Sequence, residues 1–375
     1  MTGPLDHLPA HLKTLAPYRP KSAHPAIRLD ANESPHVAPE RVRRSLAQAA
    51  AEAATHRYPD GSARALKDAL RSFLERAPAA TLLEGEPLDR PLVLGVGSDE
   101  IIAMLVVAFG GDPGARSRVV IPSPTFVMYE KTSRAHGLKP VHVPLGVGFD
   151  WDIDAIGKAL EEHRPALVFY ATPNNPTGRP IEDAALRSLI EGFPGVLHII
   201  DEAYGAFERP RRTRLRWAHA YDNVAVMGTL SKVGFAALRV GFLYAPAPIA
   251  EALERVRQPY NLSSPIQAMA ERLLRDHPDE LNRQANAIVE ERTRVFEELK
   301  SITEVIPSQG NFHLARLSAP QLSALKNAGI GVRVFSDPKL EGWARISIGT
   351  AEENDALLAS LGAARPAAHR SDPSK

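Results

Sequence analysis

The residues with the most chemistry in them lie in one short stretch, Met227-Gly-Thr-Leu-Ser-Lys232, with Arg239 seven residues after the lysine. The apolar run Val224-Ala-Val-Met227 before it reads as a buried strand. A lysine at the mouth of such a strand is placed to lose its proton, because desolvation disfavours the charged amine. A neutral amine attacks a carbonyl and forms a Schiff base. Thr229, Ser231 and Arg239 supply hydroxyl and guanidinium donors for a phosphate beside it. An aldehyde and a phosphate on one molecule describe pyridoxal 5'-phosphate. A lysine after a strand is more often a solvated loop residue, so this reading depends on what the rest of the chain brings to it.

Three other stretches bring matching chemistry. Tyr170-Ala-Thr-Pro-Asn174-Asn175-Pro176-Thr177-Gly178 is a dense turn. An asparagine amide there can donate to a phenolate oxygen. Asp201-Glu-Ala-Tyr204 ends the mainly apolar run Val196-Leu-His-Ile-Ile200. A carboxylate in that position is costly unless paired. A pyridinium N–H⁺ is such a partner, and Tyr204 can donate to the same phenolate as Asn175. Gly97-Ser98-Asp99-Glu100 follows the strand Leu92–Val96 and opens an apolar helix to Phe109. Ser98 reads as its N-cap, and the free backbone N–H groups of a glycine turn suit an anion.

The elements that must position these residues alternate. Strands at Leu92–Val96, Arg118–Ile121, Lys139–Pro144, Ala166–Tyr170, Val196–Ile200 and Val224–Met227 are separated by helical stretches, including Ile153–His163 and Pro180–Gly192. That pattern predicts an α/β fold with a mostly parallel sheet and ligands beyond the carboxyl ends of its strands. Ser98, Phe126, Asn175, Asp201 and Lys232 all follow strands. After Gly241 the pattern changes to helices and then to a smaller α+β unit. We expect an arm over 1–35, a large domain over 36–260, a small C-terminal domain over 261–362 with a contribution from the N-terminal segment, and a disordered tail over 363–375.

Composition excludes several classes. The chain has 375 residues and a net charge of +1, with no basic stripe interleaved with aromatics, so nucleic acid is not expected as a partner. It has no cysteine, which removes thiol catalysis and thiolate metal sites. No apolar run approaches the length of a membrane span, and the first twenty residues lack a signal-peptide core. A cytoplasmic location is the expectation. His7 and His11 have helical ligand spacing, but Pro9 lies between them, and no metal is expected.

The series Asn175-Pro-Thr-Gly178, Asp201-Glu-Ala-Tyr204, Ser231-Lys232 and Arg239 resembles the fold-type I aminotransferases, and within them the histidinol-phosphate aminotransferase family. Further marks are Leu29-Asp-Ala-Asn32-Glu33, Arg57-Tyr58-Pro59, Pro124-Thr-Phe126, Asn311-Phe312, Val332-Arg333 and Ala344-Arg345-Ile-Ser. Together they span about residues 15–360 in the family's order. The fold implied is a large domain with a seven-stranded, mostly parallel sheet and a smaller α+β domain. One departure concerns the lysine-to-arginine spacing, which is eight in many members and seven here.

The resemblance implies roles residue by residue. Lys232 attaches the cofactor and moves the substrate proton. Asp201 keeps the ring nitrogen protonated, Asn175 and Tyr204 bind the ring oxygen, and Phe126 stacks on the ring. Ser98, Asp99, Thr229, Ser231 and Arg239 hold the phosphate, joined by Tyr58 from the neighbouring subunit of a homodimer. Tyr18, Asn32, Arg333 and Arg345 contact the substrate. The implied reaction transfers an amino group from histidinol phosphate to 2-oxoglutarate in histidine biosynthesis. A decarboxylase of threonine phosphate and an aromatic-amino-acid aminotransferase are the alternatives on the same scaffold. A cofactor-sensing transcriptional regulator would need a DNA-binding domain ahead of the resemblance, and no room for one is expected.

Overall fold

The computed structural model describes residues 3–17, 25–76, 86–110 and 117–364. Tyr18 and nearly all of the expected tail lie outside the described residues. Two sheets organise the chain. The larger contains β2 (Leu92–Val96), β3 (Arg118–Ser123), β4 (Lys139–Pro144), β5 (Leu167–Ala171), β6 (Leu197–Asp201), β7 (Val224–Thr229) and β8 (Val240–Tyr244), with β1 (Ile27–Leu29) belonging to the other sheet. Its seven strands run in the order β2-β8-β7-β6-β5-β3-β4. All share one direction except β8, which is antiparallel to both β2 and β7. Six carboxyl ends therefore meet at one edge, where α/β sheets place their ligands.

Both faces of this sheet are covered, which is why its strands read as unbroken apolar runs. In β5, Leu167 and Phe169 join one core, beneath the helices Gly97–Phe109 and Ala247–Val256. Val168 and Tyr170 point to the opposite face and join a second core. That second core runs through Leu281, Ile288 and Leu299 of the long helix Pro278–Ile302 into Phe312 and Ile346. Burial is thus continuous between the two sheets.

The smaller sheet contains β9 (Val305–Ile306), β10 (Phe312–Arg316), β11 (Ile330–Val334) and β12 (Trp343–Ser347), in the order β1-β11-β12-β10-β9. β1, from the N-terminal segment, pairs in parallel with β11. The turn after β1 is thereby carried to the interface between the sheets.

Two local expectations are corrected. The helix predicted over 180–192 begins at Asp183, since Pro180 to Glu182 remain extended or irregular. Ser98 is not an N-cap. The helix begins at Gly97, with Val96 at the cap and no side-chain cap bond. Gly97 adopts φ +71°, a left-handed turn that a side chain would oppose, and the helix cap falls at Val96, two residues before Ser98.

Two buried histidines make the fold acid-sensitive. His198 in β6 and His313 in β10 are each held by burial at a pKa of about 4, below the ordinary value of 6.5. Between those values the unfolded chain binds the protons and the folded chain does not, so stability rises with pH through this window. Lowering the pH from 6.5 to 5 should cost about 2 kcal/mol per histidine. Urea midpoints should fall over that interval and stay flat from pH 7 to 8. A flat profile from 6.5 to 5 would contradict the burial argument.

Candidate active site

Lys232 lies at the carboxyl edge of the large sheet, in the turn Ser231–Phe235 that follows β7. Gly234, at φ +97°, lets that turn reverse tightly. The lysine is half-buried, and its Nζ stands 5.7 Å from the centre of the Tyr204 ring. Ser98, Asp99, Phe126, Asn175, Asp201, Tyr204, Thr229, Ser231 and Arg239 surround the same pocket. Of the fifteen site residues named from the sequence, ten line this one pocket, including all five that follow strand ends.

At one end lies Asp201, the last residue of β6, buried to 5% exposure. Burial raises its carboxyl above the ordinary carboxylate range, opposed by the hydrogen bonds it accepts and by the charge of Lys232. Tyr129 donates its hydroxyl to Oδ2 at 2.6 Å, and the Ala203 N–H donates to Oδ1 at 2.8 Å. Tyr129 escaped the sequence reading. It is completely buried, stacked on Phe169 with ring centres 4.5 Å apart, and Phe126 meets it edge-on. A polar tip on a buried aromatic needs a partner, and the spacing of three from Phe126 along the helix Val127–Ala135 was the available signal.

At the other end is an anion cradle. The N–H groups of Ser98 and Asp99 lie in the first helical turn, where no intrahelical acceptor exists for them. Gly241 of β8 lets this turn come close, since a Cβ there would stand 2.6 Å from the Ser98 nitrogen. The Arg239 guanidinium pairs with Asp99 at 3.1 Å, and its carbonyl accepts the Gly97 N–H at 2.7 Å. The seven-residue spacing does deliver Arg239 to the cradle, through a short 3-10 turn at Ala236–Leu238 and a left-handed φ of +51°. The Thr229 hydroxyl accepts the Ser231 N–H at 3.1 Å and reaches the Val240 carbonyl at 3.0 Å. Thr229 therefore braces Ser231.

The pocket opens into a cleft of about 1020 Å³, also lined by Asn32, Arg333 and Arg345. Arg345 donates to Asn175 Oδ1 at 2.6 Å and to the Asp30 carbonyl at 2.7 Å. Arginine can only donate, so this bond orients the amide and leaves Nδ2 of Asn175 as its donor. Asn32 has the left-handed φ of +54°. Its Nδ2 donates to the Tyr204 hydroxyl at 2.9 Å, and its Oδ1 accepts from Ser347 at 2.9 Å. Asn32 thus fixes Tyr204, whose phenolic hydrogen remains to be donated. Ser347, quoted within Ala344-Arg345-Ile-Ser but given no role from the sequence, makes this possible from β12.

Arg333 and Arg345 face each other directly across β11 and β12. Opposed like charges are unfavourable on one sheet face, so the pair suits an anion placed between them. Tyr58 is outside this site. It is 81% exposed and stacks on Tyr260 at 4.7 Å, beside a separate surface groove.

Residues 24–361 match the family described as aminotransferase class I and II. The chain is 38% identical to histidinol-phosphate aminotransferase 1 of Burkholderia lata, over 98% of this chain and all of that one. It is 33% identical to histidinol-phosphate aminotransferase of Aquifex aeolicus, over 94% and 97% of the two chains. Histidinol-phosphate aminotransferase from Sinorhizobium meliloti, solved in complex with pyridoxal-5'-phosphate, shares the fold at a TM-score of 0.78 and 24% identity, covering 91% of each chain.

Proposed function

Because the chain belongs to the class I and II aminotransferase family, we propose that it transfers the amino group of histidinol phosphate to 2-oxoglutarate, with pyridoxal 5'-phosphate as its cofactor. The observation that carries the substrate is the cross-strand pair Arg333 and Arg345, lining one cleft with Lys232. An amine held at Lys232 then has its anionic group within reach of two guanidinium forks. Those forks accept the phosphate ester of the donor and the carboxylate of the acceptor alike.

The donor set fits the cofactor at both ends: a buried carboxylate with no cationic hydrogen-bond partner among the described residues, and a glycine-shaped cradle of N–H, hydroxyl and guanidinium groups. When bound, the cofactor supplies an aldehyde that captures the amine and a ring that takes up the electrons of the substrate carbon. Asp201 holds a proton at the ring nitrogen. Asn175 Nδ2 and the Tyr204 hydroxyl donate to the ring oxygen, and Phe126 covers one ring face. Ser98 and Asp99 N–H, Ser231 and Arg239 hold the phosphate, with Thr229 behind Ser231. Lys232 Nζ would take the proton from the amine-bearing carbon of the substrate and carry it to the cofactor side of the transferred nitrogen.

In this reading residues 36–260 form the cofactor-binding domain, and 261–362, with the N-terminal strand, supply the arginine pair. The active unit is a cytoplasmic homodimer. Tyr58, solvent-exposed and outside its own chain's pocket, is the residue offered to the neighbouring phosphate site.

The test is a single-turnover spectrum. Histidinol phosphate should convert the bound cofactor to its amine form, and 2-oxoglutarate should restore it with one glutamate formed per site. Carbon dioxide released from threonine phosphate without glutamate would establish a decarboxylase instead. Faster conversion by phenylalanine than by histidinol phosphate would establish an aromatic aminotransferase.

A further inference from the structure

The cleft has a third recognition point beyond Lys232 and the arginine pair. Glu130 lies four residues after Phe126, hence one helical turn away on the same face. Both residues line the cleft, together with His142 of the edge strand β4. Glu130 Oε1 is occupied, accepting from Arg134 Nε at 2.7 Å. Its Oε2 stands 3.6 Å from His142 Nε2, an ion-pair distance too long for a hydrogen bond. A carboxylate oxygen with acceptor capacity left is therefore held at the outer wall of the cleft.

A substrate held at three points must present a suitable group to each. Its amine goes to Lys232 and its anion to Arg333 and Arg345. The third substituent faces a wall that carries a hydrogen-bond acceptor. A phenyl or alkyl group leaves that acceptor unpaired, whereas an imidazole carries at least one N–H in every protonation state near neutrality. We propose that Glu130, with His142 beside it, is a specificity-determining residue that reads the ring N–H of a heteroaromatic amino donor. The inference rests on the histidinol-phosphate reading above and assigns the residue that separates this donor from its phenyl counterpart.

The experiment compares histidinol phosphate with phenylalaninol phosphate, which keeps the amine and phosphate ester and replaces imidazole by phenyl. Donor half-reactions are followed on the holoenzyme, on Glu130→Gln and on Glu130→Ala. Wild type should favour the imidazole compound. Each variant should lower kcat/KM for histidinol phosphate by roughly 10–100-fold, the range of a hydrogen bond to a charged group, with alanine at least as severe as glutamine. The phenyl compound should react as before. KM for 2-oxoglutarate, measured in the acceptor half-reaction, should change by less than about twofold, a split that general damage to the fold would not produce. A ratio between the two donors unmoved by either variant overturns this inference alone. A wild type that uses the phenyl compound and not histidinol phosphate overturns it together with the proposed function.

Discussion

Lys232→Ala abolishes amino-group transfer, lowering turnover by at least about 10⁴-fold, the upper part of the range for a positioned acid–base group. The loss is this large because one Nζ has two tasks. In the proposed mechanism it anchors the cofactor covalently and carries the substrate proton. Among the residues lining the inner pocket no other amine is present. The outer cleft is lined by another amine, Lys339, and by His142, but neither lines the inner pocket. The variant should still bind cofactor through the cradle of Ser98, Asp99, Ser231 and Arg239, but borohydride should no longer trap it on the chain. Trapping at wild-type yield would refute the assignment of Lys232. The same variant tests the shared site. Mixed with Tyr58→Phe under conditions that exchange subunits, it contributes an intact Tyr58 to dimers whose other chain has an intact Lys232. Cofactor retention in those hybrid sites should recover, and no recovery would argue against a tyrosine that crosses between subunits.

Asp201→Asn separates catalysis from stability. Asparagine fills the same space: its Oδ1 can keep the Ala203 N–H bond and its Nδ2 can donate to the Tyr129 hydroxyl oxygen, so the architecture persists. What disappears is the charge that, in the proposed mechanism, keeps a proton on the ring nitrogen. Turnover should fall by about 10²–10⁴-fold, as for loss of other preorganised electrostatic groups. Stability of the cofactor-free protein should not fall with it. Burial raises the Asp201 carboxyl in the fold, so near neutrality the ionised form costs stability, and a neutral amide removes that cost. A melting temperature equal to or above that of wild type, with crippled turnover, is the expected combination. Unaltered turnover would mean that another group serves the ring nitrogen.

Much of the inner site was legible in the sequence because its logic is local. A glycine turn, a double asparagine, an acid and a lysine each sit just past an apolar run. In a sheet of parallel strands the ends of such runs meet at one edge. Asp99, Asn175, Asp201 and Lys232 could therefore be placed in one pocket without knowing strand order. The helix start at Gly97 was misread because the left-handed turn there is a backbone event, and Ser98 has the composition of a cap without being used as one.

The outer contacts were not legible for a different reason. Asn32 meets Tyr204 across 172 residues and Ser347 across 315. Arg333 and Arg345 were recognisable as arginines suited to anions, but only the register of β11 against β12 sets them directly opposite one another. Tyr129 is an ordinary aromatic in its helix until packing against Phe169 aims its hydroxyl at Asp201. Residue type and short-range periodicity thus determined which chemistry this chain can perform and which edge of the sheet performs it. Tertiary structure decided which donor is already spent, which remains to be used, and which charges face one another. Those outcomes depend on distances between segments far apart in the chain, and strand pairing and burial set such distances while local pattern does not.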